Sequence, residues 1–574
     1  MNSTMNTMSV ERSFLPAKIE VSNWDQIQSY FDQLLQRNID QPDDLRTWLQ
    51  NRSELEAFLQ EDMGWRYIRM SCDTVNEEYA RAFNFFVGEI QPRIAPLSQQ
   101  LDLKLLQSPA LPLLKGRSYE IMLRQIRKRV EIFREENVPL LADLQQQEQE
   151  FSAITGAMTI MVDDKEITLQ QAANFLERDD RVKREEIYKK IYTRRLQDKD
   201  KLDGLMNDLI AKRNAIAKNA GFSDYRDYMF ANLGRFDYTS DDCLKFHQAV
   251  ATCLVPLNEA IEDLHRKDLK LEVLKPWDTA AAPPGQSPLV PSSSAAELMD
   301  KAIACFEEID PYLGQCMREM KEAKRLDLDS RKGKAPGGYN YPLYETGLPF
   351  IFMNSTNTLR DLVTIVHEGG HAVQSILDKP LELVDFKNIP SEVAELASMS
   401  MELISMEHWH HFFENPEDLK KAKRKHLEDV LKGLPWIACV DAFQHWIYTH
   451  QQHHAEQRSE AWVNTFRRFS GEVVDWKGQE HIRAILWQKQ LHIFEVPFYY
   501  IEYGFAQLGA IAMWRNYRAN PSETIKNYLE ALKMGYTSSI GEIYDRAGVK
   551  FDFSETYIHE LSEFVKEEWR KLAD

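Results

Sequence analysis

Between Thr364 and Ser375 the chain reads TIVHEGGHAVQS, with His367 and His371 four residues apart and Glu368 directly after the first. On a helix, positions four apart differ by about 40° in azimuth, so both imidazoles project from one face and can reach a single metal ion at about 2.0 to 2.1 Å. Glu368 lies adjacent to that face. It is badly placed to join the same coordination sphere but well placed to touch a water on the metal, which is where a general base is needed. Leu362, Ile365, Val366, Ala372, Val373, Ile376 and Leu377 form the apolar remainder of the helix, so a buried, shaped environment is expected for the histidines. Gly369 and Gly370 in mid-helix cost roughly 1 kcal/mol each relative to Ala. Something close by, another backbone or a substrate, is therefore expected to need the room. The competing reading is a helix whose histidines are only hydrogen-bonded core residues, and a third ligand separates the two.

The segment NIPSEVAELASMSMELISM reads as a second helix and carries Glu392, Glu395 and Glu402. Glu395 and Glu402 are two turns, about 10 Å, apart along the axis, so on a straight helix only one can be the ligand. The other could orient a ligand by accepting a hydrogen bond from it. Further on, LHIFEVPFYYIEYGFAQLGA places His492, Tyr499, Tyr500 and Tyr503 within twelve residues. Tyrosine hydroxyls can hold a developing oxyanion, although an aromatic core face explains the same cluster. Two other histidine groups, HWHH at 408 to 411 and HQQHH at 450 to 454, have no accompanying glutamate pattern and read as surface or capping residues.

The elements that must position these residues are mostly helices. From NWDQIQSYFDQLLQRNI to LADLQQQEQEF, apolar residues recur at three and four. One exception, TIMVDDKEITL, has two short β-branched runs around Asp163-Asp164-Lys165 and predicts a hairpin at about 159 to 169. Helical periodicity resumes and stops at Gly221. Lys275 to Ser294 is rich in Pro, Ala and Ser and reads as a long surface loop. RKGKAPGGYNYPLYETGLPFIFMNST predicts a glycine turn followed by one or two strands, and everything beyond Asn357 reads as helix. This predicts a helical N-terminal region over 1–200 containing the hairpin, then a catalytic region over 201–574.

With 574 residues, 43% hydrophobic and 28% charged, the chain has the composition of an ordinary globular protein, large enough for two or three packed lobes. A net charge of -19 without a segregated basic stripe argues against nucleic acid or an anionic membrane as partner. The opening stretch lacks the basic end and apolar run of a secretory signal, and no 18-residue apolar run follows, so the cytoplasm is the expected location. Six scattered cysteines lack close-pair zinc spacings and read as thiols outside any disulfide framework.

GKAPGGYNYPLYETGLPFIFMNSTNTLRDLVTIVHEGGHAVQS followed by SEVAELASMSMEL resembles the active-site region of the oligoendopeptidase F branch of the thimet oligopeptidase family, which are zinc metallopeptidases. RNAIAKNAGFSDYRDYMF and KPWD resemble stretches upstream of the metal in that family, so the likeness covers roughly residues 110 to 570. The resemblance implies one zinc per chain, with His367, His371 and Glu395 as ligands, Ser398 and Glu402 behind Glu395, and Glu368 as general base. It implies catalytic roles for His492, Tyr500 and Tyr503, the two tyrosines matching the spacing of the family's distal pair. It further implies a mainly α, two-lobed fold enclosing a deep substrate channel, with a small β element beside the zinc. Short peptides would lie extended along the strand around LPFIFMNST, taken as an edge, with Gly337 and Gly338 forming a mobile loop beside Tyr339, and with Tyr499 also contacting substrate. The expected activity is hydrolysis of internal bonds in short peptides. A helical zinc carboxypeptidase or a non-catalytic peptide-binding scaffold with a structural metal are the alternatives.

Overall fold

The computed structural model describes residues 12–572, apart from 287, 332 and 336. The opening residues in which no signal pattern is read, up to residue 11, lie outside the described residues. The chain is mainly helical, and Cα packing divides it into two compact units. One comprises Met1–Val138, Val290–Ala422 and Ala506–Phe551, and the other Pro139–Leu289, Lys423–Phe505 and Asp552–Asp574. Each unit is assembled from three separated stretches, so both units draw on residues from before and after position 200. No disulfide joins the six cysteines, and four of them are buried.

In the second unit, β1 (Thr159–Val162) and β2 (Lys165–Thr168) form the expected antiparallel hairpin, paired from Thr159 with Thr168 to Val162 with Lys165. Asp163 and Asp164 take positive φ of 48° and 61°, the conformation that a two-residue hairpin turn of this hand requires. The segment after Lys275 is not simply a surface loop. Asp278 in its first turn is fully buried and accepts hydrogen bonds from Arg181 at 2.8 Å and Arg184 at 2.9 Å.

The first unit holds three further strands, β3 (Leu326–Asp329), β4 (Tyr339–Tyr341) and β5 (Phe350–Ser355), in the order β3-β5-β4. β5 pairs parallel with β3 and antiparallel with β4. It is therefore the central strand, and the expectation of an exposed edge at LPFIFMNST is overturned. Phe350, Ile351, Phe352 and Met353 are all buried, as in a strand covered on both faces rather than a half-solvated one with alternating polarity. The outer strand on the glycine-turn side is β4. β3 lacks a local signal, because LDLD is short and half aspartate. Its pairing with β5, Leu326 opposite Ile351 and Asp327 opposite Phe352, is a long-range contact.

β5 leads directly into the helix Leu359–Asp378 that carries the HEGGH motif. The turn between them is set by a cap: Asp361 Oδ2 accepts from Thr358 N at 2.7 Å and from Thr356 N at 2.9 Å. The cap satisfies amides that the helix start would leave unpaired, and it fixes where the helix begins relative to the sheet. Leu362, Ile365, Val366, Ala372 and Val373 are 0% exposed and form its buried face.

Candidate active site

The two mid-helix glycines explain how the site is assembled. A Cβ at Gly370 would stand 2.6 Å from Ser398 Cα and 2.7 Å from the Ala397 carbonyl oxygen, both main-chain atoms of the helix Ser391–Ser405. At Gly369 it would meet the Phe306 ring at 2.8 Å and Met317 at 3.1 Å. The room the sequence asks for is therefore taken by another backbone, and the close approach brings glutamates of the second helix over the two histidines. Two tyrosines with no local signal secure that helix: Tyr528 donates to the Ala397 carbonyl and Tyr544 to the Glu392 carbonyl, each at 2.9 Å.

Glu395 Oε2 lies 3.4 Å from His367 Nε2 and 3.7 Å from His371 Nε2. Both separations exceed a good hydrogen bond, yet the three groups converge with their ligand atoms within 4.8 Å of one another. Two ligand atoms about 2.0 to 2.1 Å from one metal at a tetrahedral angle stand about 3.3 to 3.4 Å apart, so the donor set fits a zinc-sized ion with little adjustment. On the opposite side of the His367 ring, Nδ1 donates to Glu402 Oε1 at 2.6 Å, which turns Nε2 inward toward Glu395. The His371 ring hydrogen-bonds the Ala394 backbone. Burial lowers the His367 pKa, but the Glu402 hydrogen bond and the charges of Glu395, Glu402 and Glu368 override it and raise it to about 10. Burial and the neighbouring His367 charge push His371 well down, keeping it neutral. The pocket favours positive charge at one point and a free imidazole lone pair beside it.

Glu368 is 5% exposed, and its Oε2 has no hydrogen-bond partner among the described residues. Burial, aided by the charges of Glu395 and Glu402 and opposed by His367, pushes its carboxyl up to about 7. That value suits a group that takes and returns a proton near neutrality. Gly338 is immediately beside it: a Cβ there would be 3.7 Å from Glu368 Oε1 and 3.4 Å from the Thr364 methyl. Gly337 has φ +100°, and Asn354 Nδ2 ties the turn by donating to Ala335 O at 2.8 Å and Gly337 O at 2.9 Å. Tyr339 stacks on Phe352 with centroids 4.7 Å apart and shares a 2.5 Å hydrogen bond with Ser71, so its side chain is already engaged.

In the second unit, the His492 ring is 4.7 Å from that of Tyr500, 5.8 Å from Tyr503 and 6.0 Å from Tyr499. Tyr500 precedes the helix Ile501–Ala519 and Tyr503 lies in its first turn, with their rings 5.4 Å apart. Gln490 Nε2 donates to His492 Nδ1 at 2.8 Å, and burial pulls the His492 pKa down to about 4, so the ring is neutral. Two buried residues the sequence did not single out hold the preceding turn. Gln444 accepts from Phe498 N at 2.8 Å, while Arg235 donates to Phe498 O and to Glu502 Oε1 at 2.8 Å from the latter.

The remaining histidines divide. His454 caps the helix Ala455–Ser470, and His450 stacks on Trp446, as surface or capping residues should. His408, His410 and His411 instead gather around Glu308 at 3.2, 3.1 and 2.6 Å, a glutamate supplied by another helix. Local sequence could not reveal it.

A mainly helical fold with two imidazoles and a carboxylate converging beside a buried, unsatisfied glutamate has the form of a metallopeptidase. The chain matches the model of peptidase family M3 over residues 174–563 and that of the peptidase M3 N-terminal domain over residues 14–133. It belongs to peptidase family M3. Its fold superposes on Pz peptidase A, solved with an inhibitor, at a TM-score of 0.91 and 27% identity over 96% of this chain and 98% of that one. Oligopeptidase PepF of Bacillus subtilis is 24% identical over 67% of this chain and 57% of its own length. The oligoendopeptidase F homolog of Borreliella burgdorferi is 21% identical over 67% of this chain and 65% of its own length. The matches thus span less than two thirds of either curated relative. Among the described residues no helix is long and apolar enough to cross a membrane.

Proposed function

We propose that this protein is a zinc-dependent oligoendopeptidase that hydrolyses internal bonds of short peptides in the cytoplasm. The observation that carries the reading is the placement of Glu395 Oε2 at 3.4 and 3.7 Å from two imidazole nitrogens, next to a Glu368 oxygen with no hydrogen-bond partner among the described residues. His367, His371 and Glu395 would hold one zinc ion, and membership of the family supports that choice of metal. Zinc, when bound, supplies Lewis acidity that lowers the pKa of a water toward about 7 and polarises the scissile carbonyl.

Glu368 takes the proton of the attacking water and returns it to the departing amine. Glu402 keeps the His367 ring turned and its tautomer set. The missing side chain of Gly338 leaves space beside Glu368 for substrate main chain. With β5 paired on both sides, an extended peptide would add to the outer edge of β4, so main-chain bonds give affinity with little sequence preference. Gly337, Gly338 and Tyr339 would then offer chiefly their backbone to the peptide, with Tyr499 a further contact. A hydroxyl of Tyr500 or Tyr503 donates to the developing oxyanion, and neutral His492 supports that tyrosine pair.

Glu368→Gln tests the reading. The variant should retain its metal, measured by mass spectrometry of the digested protein, and lose roughly a thousandfold in kcat. Near-normal turnover of a metal-loaded Glu368→Gln enzyme would sink the mechanism.

A further inference from the structure

A second convergence of ligand-type side chains lies in the other unit, on the helices Ser240–Cys253 and Pro416–Thr449. Cys243 and His247 are four apart on the first, Asp441 and His445 four apart on the second, so each pair projects from one helix face. All four are buried: Cys243 and Asp441 are 0% exposed, His247 1% and His445 5%. Ligand atoms of Cys243, Asp441 and His445 lie within 4.8 Å of one another. His247 Nε2 is 2.8 Å from Asp441 Oδ2, and His445 Nε2 is 3.2 Å from the same oxygen.

A plain hydrogen-bonded network accounts for only part of this. His445 Nε2 is within reach of Asp441 but too poorly aligned to hydrogen-bond it, and Asp441 Oδ1, His247 Nδ1 and His445 Nδ1 are buried without a hydrogen-bond partner among the described residues. Buried polar atoms are normally satisfied, so such a group of exceptions in one place calls for an explanation. His247 Nε2 hydrogen-bonds Asp441 Oδ2 at 2.8 Å, while ligand atoms of Cys243, Asp441 and His445 converge as ligands aimed at a common point do. The surroundings are apolar: aromatic rings of Phe230 and Phe498 face His445, and that of Phe469 faces His247.

We propose that Cys243, His247, Asp441 and His445 form a closed, structural metal site that takes zinc. One thiolate, one carboxylate and two neutral imidazoles balance the charge of a dication, and a donor set mixing sulfur and nitrogen selects zinc over the oxygen-seeking magnesium and calcium. Four protein ligands leave no open position, so the ion does no chemistry on substrate and instead pins the two helices together. On binding, the Cys243 S–H bond gives its proton to solvent and the sulfur donates to the metal. The site shares no residue with the proposed peptidase centre, and it can stand or fall independently.

The test measures zinc in the full chain, produced with zinc in the medium and dialysed against EDTA. Wild type should hold about two zinc ions per chain before chelation and about one after it, because the buried ion is out of reach of the chelator. His367→Ala/His371→Ala, which removes the first centre, should keep about one, and adding Cys243→Ser should lower that at least tenfold. A second readout needs no substitution in the core. The His367→Ala/His371→Ala protein refolded in cobalt should show a thiolate-to-cobalt charge-transfer absorption in the near ultraviolet. Wild type with only one zinc, a folded double variant with none, or bound cobalt without the thiolate band would each overturn the proposal.

Discussion

Glu395 and Glu402 are the same residue type on the same helix, and what separates them is which ring nitrogen each one meets. Glu395 faces Nε2 of both histidines, while Glu402 meets Nδ1 of His367. Glu395→Gln should therefore strip the zinc, Glu402→Gln should weaken it by about 10 to 100-fold, and Glu392→Gln should leave it near normal. Zinc titration against a competing chelator reads all three, and loss of metal from the Glu392 variant with retention in the Glu395 variant would reverse the assignment. At the tyrosine cluster, removing one hydroxyl separates transition-state help from binding. Tyr500→Phe or Tyr503→Phe should cut kcat roughly a hundredfold for whichever faces the oxyanion, with far less change in KM. Wild-type kinetics in both variants would return the cluster to a packing role.

Among the elements, the contact between the helices Leu359–Asp378 and Ser391–Ser405 sets the geometry of the metal ligands, and Gly370 sets that contact. Gly370→Ala gains up to about 1 kcal/mol of helix propensity. It also drives a Cβ to 2.6 Å from main chain that cannot swing aside, an overpacking cost of about 1 to 3 kcal/mol. The net expectation is a less stable protein that binds zinc more weakly. Gly204, in the helix Lys199–Asn219, has nothing beyond its chain neighbours and its own helix backbone within 4 Å of its missing Cβ among the described residues. Gly204→Ala should raise stability by up to about 1 kcal/mol and leave metal binding unchanged. Denaturant melts of the two variants side by side make the comparison, and stabilisation by Gly370→Ala would show that the helix contact yields.

For the whole molecule the question is which peptides it accepts. β4 is three residues long, so an added substrate strand pairs over only about 10 Å. Recognition by main-chain pairing makes no demand on a free terminus, and the family resemblance implies an enclosed metal. Peptides of roughly five to fifteen residues, spanning at most about 3.3 to 3.6 Å per residue, should be cut internally, including those blocked at both ends. Stably folded proteins should be spared, and intact casein should be degraded far more slowly than a ten-residue peptide at equal mass. Efficient casein degradation, or a requirement for a free C-terminal carboxylate, would move the protein out of this class.

What could be read from the chain alone is what rests on short spacings. His367, Glu368 and His371 share one helix turn, and Asp163-Asp164 suits a two-residue turn. Such features follow from helix and turn geometry, which does not depend on the rest of the molecule. The resemblance to a known family then chose Glu395 over Glu402, a choice the residues alone left open. Contacts between distant segments were decided only in three dimensions. β3 lies against β5 because a parallel neighbour completes its hydrogen bonds, although LDLD itself carries little strand preference. That pairing, with β4 on the other side, makes β5 a central strand and leaves β3 and β4 as the outer ones. Tyr528 reaches Ala397 across 131 residues, Glu308 gathers three histidines from another element, and Cys243 meets Asp441 from a separate helix. The chain specifies each of these side chains, but which ones share a point in space is settled by how the helices pack, and packing depends on the whole fold rather than on any local window.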